Sequence, residues 1–140
     1  MYRRLLVLGM FGLLITVASS GCLQTRSIVG PDLMPIKRLN NPDQQGFCDR
    51  DKQGRLVISI KNQGSGKAPA TTSTIEFFPG GLFPLSTPPV AAGGTVTLPP
   101  LKIPTTCFDP DCGFRIIADS GDQLYEFNEI NNIADGNCAR

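Results

Sequence analysis

The sequence predicts an all-β protein, an antiparallel β-sandwich of about seven short strands. The chain has 15 glycines and 12 prolines among its 140 residues. That content is too high for a helical protein and is typical of short strands joined by many turns. Segments in which apolar and polar residues alternate recur along the chain, and turn residues bound each of them. Six or seven such segments at roughly even spacing favour a sandwich.

The first half of the predicted domain contributes two strands. The first, 32–39, contains Pro35 and is expected at a sheet edge, because proline has no N–H to donate to a ladder. A polar loop leads to the second strand, 55–61. Gly64 and Gly66 in the following turn are expected to supply backbone with positive φ. The residues of the second strand that are expected to face the core are Leu56, Ile58 and Ile60.

A third strand is predicted over 72–78. Ile75 and Phe77 are expected to face inward, with polar residues between them. The Pro-Gly-Gly sequence at 79–81 ends the strand. The proline-rich segment 82–92 predicts no clear element.

The remaining strands are short. Residues 95–98 form one that two prolines end, and residues 114–119 form the next. Residues 124–133 place apolar side chains at every third position, so a short helix competes there with an extended loop. Three asparagines disfavour the helix. We therefore expect an irregular loop that enters a short last strand.

The N-terminus is typical of an export signal. Arg3 and Arg4 precede an apolar segment, 5–18, and small residues follow it. About 14 apolar residues at ~1.5 Å each reach ~21 Å, short of the ~30 Å hydrocarbon core of a bilayer. Ser-Ser-Gly-Cys at 19–22 resembles the lipobox of bacterial lipoproteins, although that family usually has Leu where Ser19 stands.

That resemblance implies that Cys22 carries lipid and becomes the new N-terminus. The predicted organisation is then a signal peptide (1–21), a lipidated tether (22–30) and one domain (31–140). In a Gram-negative host, Leu23 in place of Asp implies sorting to the outer membrane. The alternatives are an ordinary signal peptide cut nearby, which leaves Cys22 as a free thiol, and an uncleaved anchor.

Composition excludes several function classes. The net charge is +1 and there is no histidine. Without histidine the chain lacks Ser-His-Asp and Cys-His catalytic arrangements and the commonest zinc ligand. The sequence has no basic patch that would indicate nucleic acid as a partner. We therefore expect neither an enzyme nor a cofactor-dependent protein.

Four further cysteines predict two disulfides, because an even number in an exported chain favours them. A four-thiolate metal site is the alternative, but the sequence contains no paired C-x-x-C knuckles. The favoured connectivity is Cys107–Cys112, around an Asp-Pro-Asp turn, and Cys48–Cys138. The other two connectivities stay open, because all four cysteines are expected at one end of the sandwich.

Four motifs in order resemble a CARDB domain, the cell-adhesion-related module of bacterial and archaeal surface proteins. They are Pro-Asp-Leu at 31–33, a strand followed by Asn-Gln-Gly-Ser-Gly-Lys-Ala at 57–68, an Ala-Gly-led strand at 91–98, and Asp119 with Glu-Phe-Asn-Glu-Ile-Asn-Asn at 126–132. The resemblance covers nearly all of the mature chain. It implies an immunoglobulin-like sandwich, an extracytoplasmic binding or adhesion role, and no catalytic residues.

The polar residues of the last motif have two interpretations. In the first they are scaffold, and Asn131 and Asn132 bond nearby backbone to fix the entry to the final strand. In the second, acidic side chains bind calcium, which takes six to eight oxygen ligands. The candidate calcium ligands are Asp109, Asp111, Asp119, Asp122, Glu126 and Glu129.

Two functions compete. One is a binding module held at the membrane by its N-terminal lipid, with a surface protein or a glycan as partner. The other is a small envelope lipoprotein that acts as a structural or assembly subunit of a larger complex. Phe78, Leu82 and Phe83 beside the Pro-Gly-Gly turn are the candidate binding residues. Their alternative role is to fill the space between the sheets.

Overall fold

The predicted sandwich is present. The computed structural model describes residues 30–38 and 46–140, which form two antiparallel sheets. One sheet has the strand order β1-β2-β5 and the other β4-β3-β6-β7. None of the helical turns within the described ranges has the length and apolar character of a membrane-spanning helix. The strands are β1 (Leu33–Ile36), β2 (Ser59–Asn62), β3 (Thr71–Phe78), β4 (Gly81–Thr87), β5 (Thr95–Thr97), β6 (Cys112–Ile117) and β7 (Ile133–Cys138), and 3₁₀ turns cover Thr105–Cys107 and Glu129–Asn132.

The core lies between the two sheets, as the alternating pattern predicts. Ile75 and Phe77 of β3 are buried, whereas their neighbours in the strand are partly exposed. The Phe77 ring packs edge-on against Phe83, with 5.5 Å between centroids, and lies 6.0 Å from Phe114. Gly136 is opposite Phe114 in the β6–β7 pair, and a Cβ there would lie 2.3 Å from the Phe114 ring. Each buried apolar side chain contributes about 1.5–3 kcal/mol.

The structure confirms one feature of the first predicted strand and corrects two features of the second. The prediction of Pro35 at a sheet edge is confirmed, because β1 is the outer strand of its sheet. The second strand, however, begins only at Ser59. Leu56 makes isolated bridges to Arg50 and Leu101 instead. Residues 56–60 are all buried, so the expected one-sided burial of this segment is wrong.

The proline-rich segment contains a strand that the sequence did not predict. β4 pairs with β3 along its whole length, and Pro84 lies opposite Thr74. A strand tolerates proline at a sheet edge, and β4 is the edge of its sheet.

The sandwich has two ends, which we call the tether end, after the predicted tether that ends at Gly30, and the distal end. β3 runs between them, and its eight residues span about 26 Å at ~3.3 Å each. At the tether end the described chain starts at Gly30, and Ser120 N–H donates to Thr72 O. At the distal end Phe78 pairs with Gly113, where β6 begins.

Both predicted disulfides are present, and both lie at the distal end. Cys48 is bonded to Cys138 across 90 residues, and Cys107 to Cys112 across five. Cys112 and Cys138 are partners in the β6–β7 ladder, so the two disulfides are neighbours. The distal end is therefore cross-linked twice.

Candidate functional site

The candidate binding residues lie on the turn between β3 and β4, at the distal end. We call residues 78–83 the distal turn. Phe78 is 46% exposed and Leu82 is 64% exposed. Phe83 is only partly exposed and packs on Phe77. The three candidate residues therefore differ. Phe78 and Leu82 form an exposed apolar surface, whereas Phe83 fills the space between the sheets.

Two glycines fix the shape of this turn. Gly81 has a φ of +91°, which L-residues with side chains rarely adopt. A Cβ on Gly80 would lie 2.8 Å from Phe77 Cβ and 3.2 Å from Pro104 Cγ. The turn is thus packed against the segment before Cys107, and any side chain at Gly80 would push the two apart.

A cleft adjoins the distal turn. Its volume is about 380 Å³, within the range of small-molecule and side-chain pockets. The floor is apolar, and two threonines and a lysine contribute polar groups. A cleft of this kind accepts an apolar group of a partner and offers hydrogen bonds and one positive charge around it. The lining residues are Phe83, Leu101, Lys102, Pro104, Thr105 and Thr106.

The Cys107–Cys112 disulfide holds the cleft wall against the sheet. Thr105 and Thr106 belong to the 3₁₀ turn that ends at Cys107. Cys112 begins β6, the strand that pairs with β3 beside Phe78. The disulfide therefore joins the cleft wall covalently to β6, and ladder hydrogen bonds join β6 to β3 beside the distal turn.

The six candidate calcium ligands do not meet. Asp109 and Asp111 lie before β6 at the distal end, and the other four follow β6 at the tether end. The six residues of β6 separate the two groups by about 20 Å. A single calcium site built from all six is therefore wrong. Among the described residues, no group of three or more His, Cys, Asp or Glu is placed to hold a metal ion.

The acids of the tether end instead accept hydrogen bonds from the protein. Asp119 accepts from the Thr71 hydroxyl and, at 2.8 Å, from Leu124 N–H. Glu126 is buried and accepts from Leu33 N–H at 2.6 Å. Glu129 accepts from Glu126 N–H at 3.1 Å. These carboxylates tie the loop before β7 to itself and to the start of β1.

The Glu126 carboxyl has a perturbed acidity. Burial raises its pKa above the ordinary value, and the nearby carboxylates of Glu129 and Asp119 raise it as well. Hydrogen bonds from Leu33 N–H and the Asn132 amide lower the pKa, without offsetting the rise. Glu126 is thus an internal acceptor between two segments.

Asn131 and Asn132 bond side chains, not the local backbone that was predicted. Asn131 Nδ2 donates to Asp32 Oδ1 at 2.7 Å. Asn132 Nδ2 donates to Glu126 Oε2 at 2.5 Å and to Glu129 Oε2 at 2.9 Å. Asn131 therefore links the loop before β7 to the start of the described chain, whereas Asn132 bonds within that loop.

The role expected of Gly64 and Gly66 is also different. Neither has positive φ. A Cβ on Gly64 would lie 2.3 Å from Gly30 O, and one on Gly66 would lie 3.0 Å from Gly30 C. These glycines let the turn after β2 pack directly on the backbone where the described chain begins.

The sequence did not predict two apolar surfaces. The cleft floor around Leu101 forms no regular element, so periodicity gives no signal for it. Tyr125, Phe127 and Ile130 are exposed at the tether end, although the spacing of apolar residues there is that of a buried face. The alternation of Leu124, Tyr125, Glu126 and Phe127 could have predicted the two exposed aromatic residues. It would, however, have required Glu126 to be buried.

Comparison with known proteins supports the fold. No family model matches the chain, and no curated protein matches it. Two solved structures are similar in fold. One is a domain of a predicted cell surface protein from Methanosarcina acetivorans, with a TM-score of 0.61 and 14% identity over 79% of this chain and 91% of that one. The other is the CARDB domain of a Pyrococcus furiosus protein, in complex with di-metal ions, with a TM-score of 0.51 and 21% identity over 79% of this chain and 88% of that one.

The fold implied by the CARDB-like motifs is thus the fold that the chain adopts. The predicted lipidation site, Cys22, and the signal segment lie outside the described residues.

Proposed function

We propose that this chain is an exported, lipid-anchored binding module of the CARDB kind, which presents its distal turn to a surface protein or a glycan and has no catalytic activity. The observation that carries the proposal is the position of Phe78 and Leu82. They are exposed apolar side chains at the end of the sandwich opposite Gly30, where the tether joins the domain. Exposed large apolar side chains at the tip of a domain are typical of binding surfaces.

Export and anchoring have independent support. The N-terminal segment is typical of an export signal and ends in a lipobox-like cysteine, Cys22. The two disulfides favour an oxidising compartment outside the cytoplasm. A related fold occurs in a predicted cell surface protein.

The proposal of no catalysis rests on the available side chains. The chain has no histidine to act as a base near neutral pH. The carboxyl with a raised pKa, Glu126, is buried and accepts bonds from Leu33 and Asn132. A general base needs access to a substrate proton, and this geometry gives Glu126 none.

The second candidate is a structural subunit of an envelope complex. The exposure of Leu82 and Phe78 supports it as well, because a permanent partner would cover them. The two functions differ in the lifetime of the complex with the partner. A subunit stays bound through purification, whereas a binding module exchanges its partner.

Site-specific photo-crosslinking in cells tests the proposal. A photoreactive residue at Leu82 is expected to capture a discrete partner. The same residue at Ser86 is the matched control, because Ser86 is exposed on the same face of β4 but lies nearer the tether end. Phe78→Ser should remove the Leu82 adduct. Equal capture at both positions, or an adduct that Phe78→Ser leaves unchanged, would contradict a distal binding surface.

A further inference from the structure

A second exposed apolar surface lies at the tether end, on the loop before β7. Tyr125 is 87% exposed, Phe127 is 68% exposed and Ile130 is 90% exposed. We call these three side chains the tether-end apolar residues. Single exposed apolar residues are common, but three large ones within six positions of one loop indicate a contact surface.

The local backbone directs two of these side chains outward together. Leu124 and Glu126 are buried, and Tyr125 and Phe127 alternate with them. Tyr125 and Phe127, on either side of the buried Glu126, therefore both point out of the domain.

Both glutamates of this loop accept hydrogen bonds from the protein. Glu129 lies in sequence between Phe127 and Ile130, but its carboxylate bonds Glu126 N–H and Asn132 Nδ2. Glu126 itself is buried. The exposed side of the loop therefore carries the three apolar side chains together with the exposed Glu129, whose carboxylate is hydrogen-bonded within the loop.

The same loop lies beside the point where the tether joins the domain. A Cβ on Gly30 would lie 3.9 Å from Tyr125 O. Leu33 N–H donates to Glu126, and Asn131 donates to Asp32. The loop is thus bonded to the first residues of the described chain, and its position relative to the tether is fixed.

The tether is too short to hold the domain far from a membrane. Only 23–29 separate Cys22 from Gly30. Eight Cα–Cα steps at ~3.6 Å span at most about 29 Å. A lipid on Cys22 would therefore keep Gly30, and the loop beside it, within that distance of the bilayer surface.

We propose that the tether-end apolar residues insert into the interfacial region of the bilayer that holds the Cys22 lipid. The inference rests on the proposed lipid anchor and adds a second contact to it. Tyrosine and other aromatic residues favour the interface between headgroups and acyl chains. Because the lipid anchor keeps the loop close to the bilayer, its effective concentration at the bilayer is high, and a weak insertion would still be populated. The insertion orients the sandwich with its distal turn away from the membrane.

The absence of tryptophan from the chain provides a direct probe. Phe127→Trp places the chain's single tryptophan, which can be excited selectively, on the loop at an exposed position. Ile130→Trp is a second variant in case the first impairs folding. Phe78→Trp at the distal end is the matched control. The full lipidated chain is reconstituted in vesicles of phosphatidylethanolamine and phosphatidylglycerol, with or without brominated acyl chains, and recovered by flotation.

The expected result is a blue-shifted emission and loss of most of the intensity in brominated vesicles for Phe127→Trp and Ile130→Trp, with no loss for Phe78→Trp. A chain that floats while both loop tryptophans stay unquenched overturns the insertion and leaves the anchor intact. Equal quenching at all three positions also overturns it, because the domain would then have no fixed orientation. A chain that does not float overturns the anchor and the insertion together.

Discussion

Asn132→Ala tests the connection between the last loop and the first strand. Asn132 Nδ2 donates to two carboxylates, at 2.5 Å to the buried Glu126 and at 2.9 Å to Glu129. Among the described residues its Oδ1 has no hydrogen-bond partner, so truncation removes only the bonds of the amide nitrogen. The substitution also leaves Glu126 buried with one donor fewer.

The expected cost follows from these two bonds. A buried bond to a charged group contributes about 1.5–3 kcal/mol, and a partly exposed one contributes ~0.5–1 kcal/mol. The sum is about 3 kcal/mol. For a domain of this size, ~4–5 °C is lost for each kcal/mol, so the melting temperature should fall by about 12–15 °C.

Asn128→Ala is the matched control. Asn128 Oδ1 accepts a single local bond from Ile130 N–H at 3.2 Å, at an exposed site. Its loss should cost ~0.5–1 kcal/mol. Thermal unfolding with the disulfides intact, followed by circular dichroism, measures both variants. Equal melting temperatures for the two would refute the structural role of Asn132.

A separate measurement of partner binding per folded molecule completes the test. Binding is expected to be unchanged in Asn132→Ala, because Asn132 lies at the end of the sandwich away from the distal turn. Wild-type melting combined with lost binding would assign Asn132 to a binding site instead.

The remaining predictions concern the disulfides and the response to pH. Replacing Cys48 and Cys138 by Ser should cost about 4.6 kcal/mol and replacing Cys107 and Cys112 about 2.1 kcal/mol, because loop-closure entropy grows with loop length; urea unfolding should rank them in that order, and the reverse order would refute it. In a tryptic digest Cys107 and Cys112 share one peptide, so the observed connectivity joins two of the three cysteine peptides, whereas either alternative joins all three. The raised pKa of Glu126 means that the folded state holds this proton to higher pH than the unfolded state, so its contribution to stability should fall as pH rises from about its ordinary pKa of 4.5 through the raised value. Glu126→Gln should remove that fall, and an unchanged pH profile of the melting temperature would show that another group causes it.

The strands with clean alternation were predictable from the sequence. Ile75 and Phe77 of β3 and Phe114 of β6 face the core because every second residue is apolar and turn residues bound each strand. The edge position of β1 was predictable from Pro35, since a missing N–H is a local property. β4 was not predictable, because Pro84 removes the pattern that identifies a strand and only pairing with β3 stabilises it.

The candidate surface was predictable only in part. The Pro-Gly-Gly turn located Phe78 and Leu82, but inspection of the sequence could not separate them from Phe83, whose burial depends on the ring of Phe77. The long-range hydrogen bond of Asn131 to Asp32 was not predictable either. Its partner is 99 residues away, and local pattern carries no information about such a contact.

Intact mass spectrometry of the mature protein, extracted from membranes, tests the proposed anchor most directly. The predicted result is an N-terminus at Cys22 whose thiol carries a diacylglyceryl group. An N-terminus at another residue, or an unmodified Cys22, would contradict the anchoring of the domain and the outward presentation of its distal turn.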